Sequence, residues 1–209
     1  MNSFDNSLTI KAIGAFIALS TLSYTAYAKP PIKEKYEVLS QATKYAESVA
    51  CSTTFSKDNG KYRTTIKDIY LIEDTEDYDN KGKLGFEYII LWGGDVGCNG
   101  GSGTYSYYLT SFSRHSENRP FLVNQMNILD DVNSETYQIN DRFIEDVKYD
   151  NGVFVITASD YSNEGDDAGN NFPANRYKYK LTHDNSPDNY KWKLVDKNFI
   201  GKTKSAIKK

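Results

Sequence analysis

Cysteine, histidine and long apolar runs are all scarce in this chain. Its 209 residues include only two cysteines and two histidines. Neither cysteine belongs to a C-x-x-C pair, and His115 and His183 stand far apart, so no zinc-type ligand spacing is present. No metal or other cofactor is expected. A surplus of positive charge is missing too: 25 Lys and Arg face 28 Asp and Glu, for a net charge of −3. That balance argues against a general nucleic-acid binder, which carries a strongly basic excess. The main apolar stretch, Ala12–Leu22, would reach about 16 Å as a helix, half the hydrocarbon thickness of a bilayer. The processed chain is therefore not expected to span a membrane. With 25% charged and 39% hydrophobic residues, the composition fits neither wholesale disorder nor a polytopic membrane protein.

What is present begins with an address. Lys11 precedes the apolar stretch, and Ala26-Tyr27-Ala28 follows it. This is the three-part pattern of a secretory signal. Residues 1–28 are expected to be a signal peptide, and residues 29–209 one globular domain of ordinary size. The expected location is periplasmic or secreted. In an oxidising compartment the two cysteines, Cys51 and Cys98, should pair. Loop-closure entropy assigns such a bridge about 4 kcal/mol, less any native strain.

From Ile32 to about Ala50 the pattern is helical. Ile32, Tyr36, Leu39, Ala42, Tyr45, Ala46 and Val49 recur at steps of three and four, with charged residues between. Beyond Cys51 the chain reads as strands: Tyr62–Ile72, Phe86–Trp92, Thr104–Ser113, Phe121–Leu129, Arg142–Tyr149, Val153–Tyr161, Arg176–Thr182 and Tyr190–Asp196. Turn residues separate many of them, including Asp58-Asn59-Gly60, Asp79–Gly82, Asp150-Asn151-Gly152 and the stretch from Ser162 to Asn171. The segment from Asn185 to Asn189, with Pro187, joins another hairpin. A meander of this kind favours antiparallel pairing. The expected class is α+β, with one N-terminal helix packed on a curved, mostly antiparallel sheet or partial barrel of about 6–8 strands.

The densest feature is Trp92–Gly103, where six of the last eleven positions are glycine. Glycine permits positive φ and close approach, so the loop can offer backbone N–H groups to an anion or carbonyl. It lacks the Gly-Lys-Ser/Thr end of a P-loop and the Gly-x-Ser-x-Gly of a nucleophile elbow. Two roles stand open: a hairpin connection pinned by Cys98, and a pre-organised recognition loop. For the second, the candidate partner-binding residues are Trp92, Asp95, Asn99, Ser102 and Tyr105.

A second surface comes from the last hairpin. Arg176, Lys178 and Lys180 alternate with Tyr177, Tyr179 and Leu181, and Lys191 and Lys193 flank Trp192. If these runs pair, five cations share one face. Such a face is either solvated, with Lys guarding an edge, or attractive to an anionic partner. Asp77-Tyr78-Asp79-Asn80-Lys81-Gly82 has the start of a calcium loop, but Lys81 and Tyr88 occupy required ligand positions. Glu164-Gly165-Asp166-Asp167 has no ligand pattern.

No catalytic residue is assigned. His115 beside Arg114, and His183 at a hairpin turn, have no local nucleophile or orienting acid. The leading expectation is an exported, non-catalytic binding protein, such as an inhibitor or immunity protein acting on a cell-envelope enzyme. The alternatives are a small-ligand or glycan-binding module that uses aromatic residues, and a hydrolase with paired acidic residues.

Overall fold

A computed structural model describes residues 32–56, 62–76, 83–101, 103–114, 118–132, 138–161, 173–184 and 191–203. The signal region, the Asp58–Gly60 and Asp77–Gly82 turns, Ser102, His115, the Glu164–Asp167 cluster and the Asn185–Asn189 connection lie outside the described residues.

The chain opens with helix α1, Ile32–Val49, which runs straight into strand β1, Ala50–Thr53. After a 3-10 turn come β2 (Ile69–Glu76), β3 (Lys83–Val96), β4 (Ser106–Ser113) and β5 (Leu122–Gln125). A short helix α2 (Leu129–Val132) then leads through a second 3-10 turn to β6 (Ile144–Asp150), β7 (Val153–Asp160), β8 (Asn175–Asp184) and β9 (Lys191–Lys202). The architecture is α+β and mostly β. Among the described residues the strands form two antiparallel sheets, of five and four strands, rather than one curved sheet, and neither closes into a barrel.

The first sheet is built around β3. Its residues alternate between two cores, as pleating requires. Tyr88, Ile90 and Trp92 point to one cluster with Val38, Ala42 and Ala46 of α1. Ile89 and Leu91 point to the other, with Phe154, Ile156, Tyr179 and Leu181 of the second sheet. The order is thus helix, five-stranded sheet, four-stranded sheet. The run Glu87–Trp92 is buried throughout because both of its faces are covered.

Helix α1 is rotated relative to its apparent apolar stripe. Ile32 and Tyr36 are 64% and 56% exposed, whereas Glu34 is buried. The reason is a polar fastening. The Tyr88 hydroxyl donates to Glu34 Oε2 at 2.7 Å, and Arg114 donates to Glu34 Oε1 while its guanidinium lies 4.7 Å from the Phe121 ring centroid. A buried carboxylate held by a guanidinium and a phenol satisfies its desolvation demand. The small residues Ala42 and Ala46 then let the helix approach the sheet, and Tyr45 packs edge-on against Trp92 at 6.3 Å.

Several strand boundaries differ from the sequence reading for local reasons. Tyr62–Ile72 is not one strand: Thr65 and Asp68 cap each other's backbone around the 3-10 turn Ile66–Asp68, and pairing starts at Ile69. Phe121–Leu129 splits because Asn127 Oδ1 accepts from both Leu109 N and Leu129 N, which turns the chain into α2. Asp150-Asn151-Gly152 is the expected tight hairpin, with φ of 48° at Asn151 and 79° at Gly152.

Candidate functional site

The connection from β3 to β4 is stitched to the end of the helix. Cys51, two residues past α1, is disulfide-bonded to Cys98, with Cα atoms 5.0 Å apart. Beside it Gly97 N donates to Val49 O at 2.9 Å, which occupies a carbonyl that the end of α1 would otherwise leave open. At the base of the loop a Cβ on Gly94 would come within 2.9 Å of the Ser52 carbonyl oxygen, so only glycine lets β1 lie this close. On the adjoining stretch Thr54 binds Gly93 through its amide at 2.8 Å and its hydroxyl at 2.9 Å. The tip, Gly97–Gly101, is exposed.

The candidate residues fall into different roles. Trp92 is fully buried, with Nε1 donating to Thr110 Oγ1 at 2.7 Å and its ring stacked on Tyr108 at 4.8 Å. It belongs to the core between helix and sheet, which corrects its placement among contact residues. Asp95 also turns inward: Oδ2 accepts from Gly100 N at 3.1 Å, and Oδ1 is buried with no hydrogen-bond partner among the described residues. It braces the loop. The loop amides are in turn less available than glycine content implies, because those of Gly97, Cys98 and Gly100 bind Val49, Asp95 and Asp95 respectively.

Asn99 is exposed, with its amide 3.5 Å from Val96 O. Tyr105 is half-buried against Tyr107, with ring centroids 5.9 Å apart, and its hydroxyl pKa is pushed up to about 12 by burial and then by Tyr107. The 3-10 turn before β6 contributes a residue the sequence did not mark as a site. Arg142 packs under Gly103, where a Cβ would meet its Nη2 at 3.6 Å, and donates to the Tyr161 hydroxyl at 3.2 Å. The pairing of β4 with a 3-10 turn 35 residues later, through Ser106 and Asp141, brings it there. Nothing in the local pattern around Arg142 announces this.

The five cations of the last hairpin do share one face. Lys193 pairs with Thr182 and Lys191 with Asp184, in line with Lys180, Lys178 and Arg176. Carboxylates interleave with them, however. Arg176 is held by Glu145, and Lys180 lies 3.1 Å from Asp196. The face is mixed rather than uniformly basic. His183 is not a turn residue: it lies within β8, with its ring 5.2 Å from that of Trp192.

Among the described residues no group of three or more His, Cys, Asp or Glu is placed to hold a metal ion, and no helix is long and apolar enough to cross a membrane. No protein-family model, curated protein or solved structure matches the chain.

Proposed function

We propose that this chain is an exported, non-catalytic binding protein that meets a protein partner through the β3–β4 loop. The observation that supports this is the fastening of an exposed loop to a buried framework: the Cys51–Cys98 bridge and the Gly97–Val49 hydrogen bond fix its base while Gly97–Gly101 face solvent. A loop ordered before binding loses less freedom on association. Asn99 stands on that tip, Tyr105 lies at the base of the loop against Gly93 and Arg142 beside Gly103, and Ser102 remains a candidate from the sequence. The cystine is consistent with an extracytoplasmic location. Removal of residues 1–28 and a periplasmic or secreted domain of residues 29–209 are part of the proposal. An inhibitor or immunity protein for an envelope enzyme is the partner class that suits this format.

The test joins capture to mutagenesis. Purified mature protein is used to capture partners from envelope extract, and each captured protein is retested with an Asn99→Arg variant and with a Lys178→Glu, Lys193→Glu variant. Loss of binding in the first variant alone supports the loop. Loss in the second alone moves the site to the outer face of the second sheet, where affinity should also fall steeply with salt. An intact mass beginning at Met1 in the exported fraction defeats the signal-peptide assignment.

A further inference from the structure

The two sheets part along one edge of the sandwich. Tyr70 on β2 donates its hydroxyl to Val147 O of β6 at 3.0 Å, and Tyr149 of β6 donates to Ile72 O at 3.3 Å. Next to these cross-sheet bonds lies a cavity of about 340 Å³. Its volume is at the small end of the range for ligand sites. Tyr62, Tyr70 and Tyr107 line it together with Asp68, Glu145 and Asp146, and aliphatic residues complete the wall. No Lys, Arg or His is among the described residues that line it.

The rings are held in place. Tyr62 and Tyr107 meet edge-on at 6.0 Å, and Tyr70 meets Phe154 edge-on at 5.4 Å. The carboxylates are not equivalent. Glu145 is neutralised by Arg176 and also accepts from the Ser159 hydroxyl, and Asp146 lies 3.3 Å from Lys148 with both side chains largely exposed. Asp68 differs: among the described residues its hydrogen-bond partners are the Tyr62 hydroxyl and the amide and hydroxyl of Thr65, all neutral. Among the described residues, a formal negative charge with neutral partners thus stands beside three tyrosine rings. Burial, then the charges of Asp68 and Asp146, pushes the Tyr70 hydroxyl pKa well above its ordinary value.

Electron-rich rings and a carboxylate with no cationic partner among the described residues attract the same kind of group. We propose that this cavity binds a small organic cation, an amine or quaternary ammonium group, between Tyr62, Tyr70 and Tyr107, with Asp68 and Asp146 supplying the opposite charge. A neutral sugar would also pack on the rings but would leave the Asp68 charge unmatched. This site goes beyond the loop-mediated reading and does not depend on it.

The test is a titration of the full chain with choline, followed by calorimetry and by the tyrosine ring resonances. The control is 3,3-dimethylbutan-1-ol, which has the shape of choline without its charge. A trimethyl-lysine peptide separates a free small cation from a modified side chain as the source. Choline or the peptide should bind about tenfold or more tightly than the neutral control, given the cation–π contribution of a desolvated site. Whichever of the two binds more tightly identifies the source, and either result supports the site. Tyr107→Leu should weaken binding by about fivefold or more, and Asp146→Asn, at an exposed position that leaves the fold intact, by about two- to threefold. Equal binding of the neutral control, no saturable shift of the Tyr62, Tyr70 and Tyr107 resonances with either cation, or unchanged affinity in folded Asp146→Asn and Tyr107→Leu would each overturn the proposal.

Discussion

The five-stranded sheet is covered on both faces, and the four-stranded sheet on one. In β3 every residue from Glu87 to Trp92 is buried, with the helix on one side and the second sheet on the other. In β7 and β8 burial alternates: Phe154, Ile156, Tyr179 and Leu181 are covered, while Val155, Lys178 and Lys180 face outward. The same pleat therefore yields two sequence patterns, a near-continuous apolar run and an alternation that holds from Val153 to Ala158 in β7. The difference separates roles as well. The loop anchored by the cystine grows from the doubly covered sheet, and the charged outer face belongs to the singly covered one.

Mutations that probe this contrast differ widely in expected size. The largest effect belongs to Trp92→Ala, which empties a fully buried aromatic site and leaves Thr110 without its donor. It should cost about 3–5 kcal/mol in chemical denaturation. By contrast, Lys178→Ala on the open face of β8 should stay within about 0.5 kcal/mol. Comparable losses at the two positions would break the distinction between the sheets.

The cystine comes next. Replacing both Cys51 and Cys98 by Ser should cost about 2–4 kcal/mol, with the native protein losing a similar amount on reduction. The sharper measurement is hydrogen exchange. Protection should fall first at β1 and at the Gly97–Val49 bond, while amides in the β7–β8 ladder keep theirs. Equal loss in both sheets would show that the anchor stabilises the molecule as a whole.

The smallest effect sits on the open sheet. Burial pushes the Glu145 carboxyl up, but the hydrogen bonds from Arg176 and Ser159 and the Arg176 charge together hold it below its ordinary value. A lowered folded pKa contributes stability above the unfolded value, and that contribution is lost as pH falls through the folded value. Because the pair is about one-third exposed, the contribution should be below about 1 kcal/mol. Glu145→Gln should therefore flatten the decline of Tm between about pH 5 and about pH 3. An unchanged slope would mean the Glu145–Arg176 pair adds nothing to folding.

The contrast between the sheets also explains what could be read in advance. The helix was legible because its length and its three- and four-residue spacing are local properties, and it ends at Val49, close to the expected Ala50. Its buried face was not, because Glu34 is paid for by Arg114, 80 residues away. The Asp150–Gly152 hairpin was legible because two positive-φ positions carry Asn and Gly. The division into two sheets was hidden, since which strand meets which is set by long-range packing. The run through Trp92 did carry a trace of it, as a strand apolar on successive residues needs cover on both sides. That same rule places Trp92 inside, against its reading as a contact. The cavity was out of reach: Tyr62, Tyr70 and Tyr107 have no shared spacing, and they meet through packing between elements far apart in sequence.

The order of the strands along the chain also sets an order in time. Among the described residues every strand of the first sheet precedes every strand of the second, and the two cysteines lie in β1 and in the β3–β4 loop. As the chain is extended from its N-terminus, α1, β1 and β3 are complete, and Cys51 can reach Cys98, before any residue of β6 exists. The loop closed at that stage spans 47 residues, and the cystine, once formed, holds it closed. The inner face of β7 and β8, by contrast, gains its cover only against a surface already made. The helix-covered sheet is thus the template, and the later sheet is the lid that seals its second face.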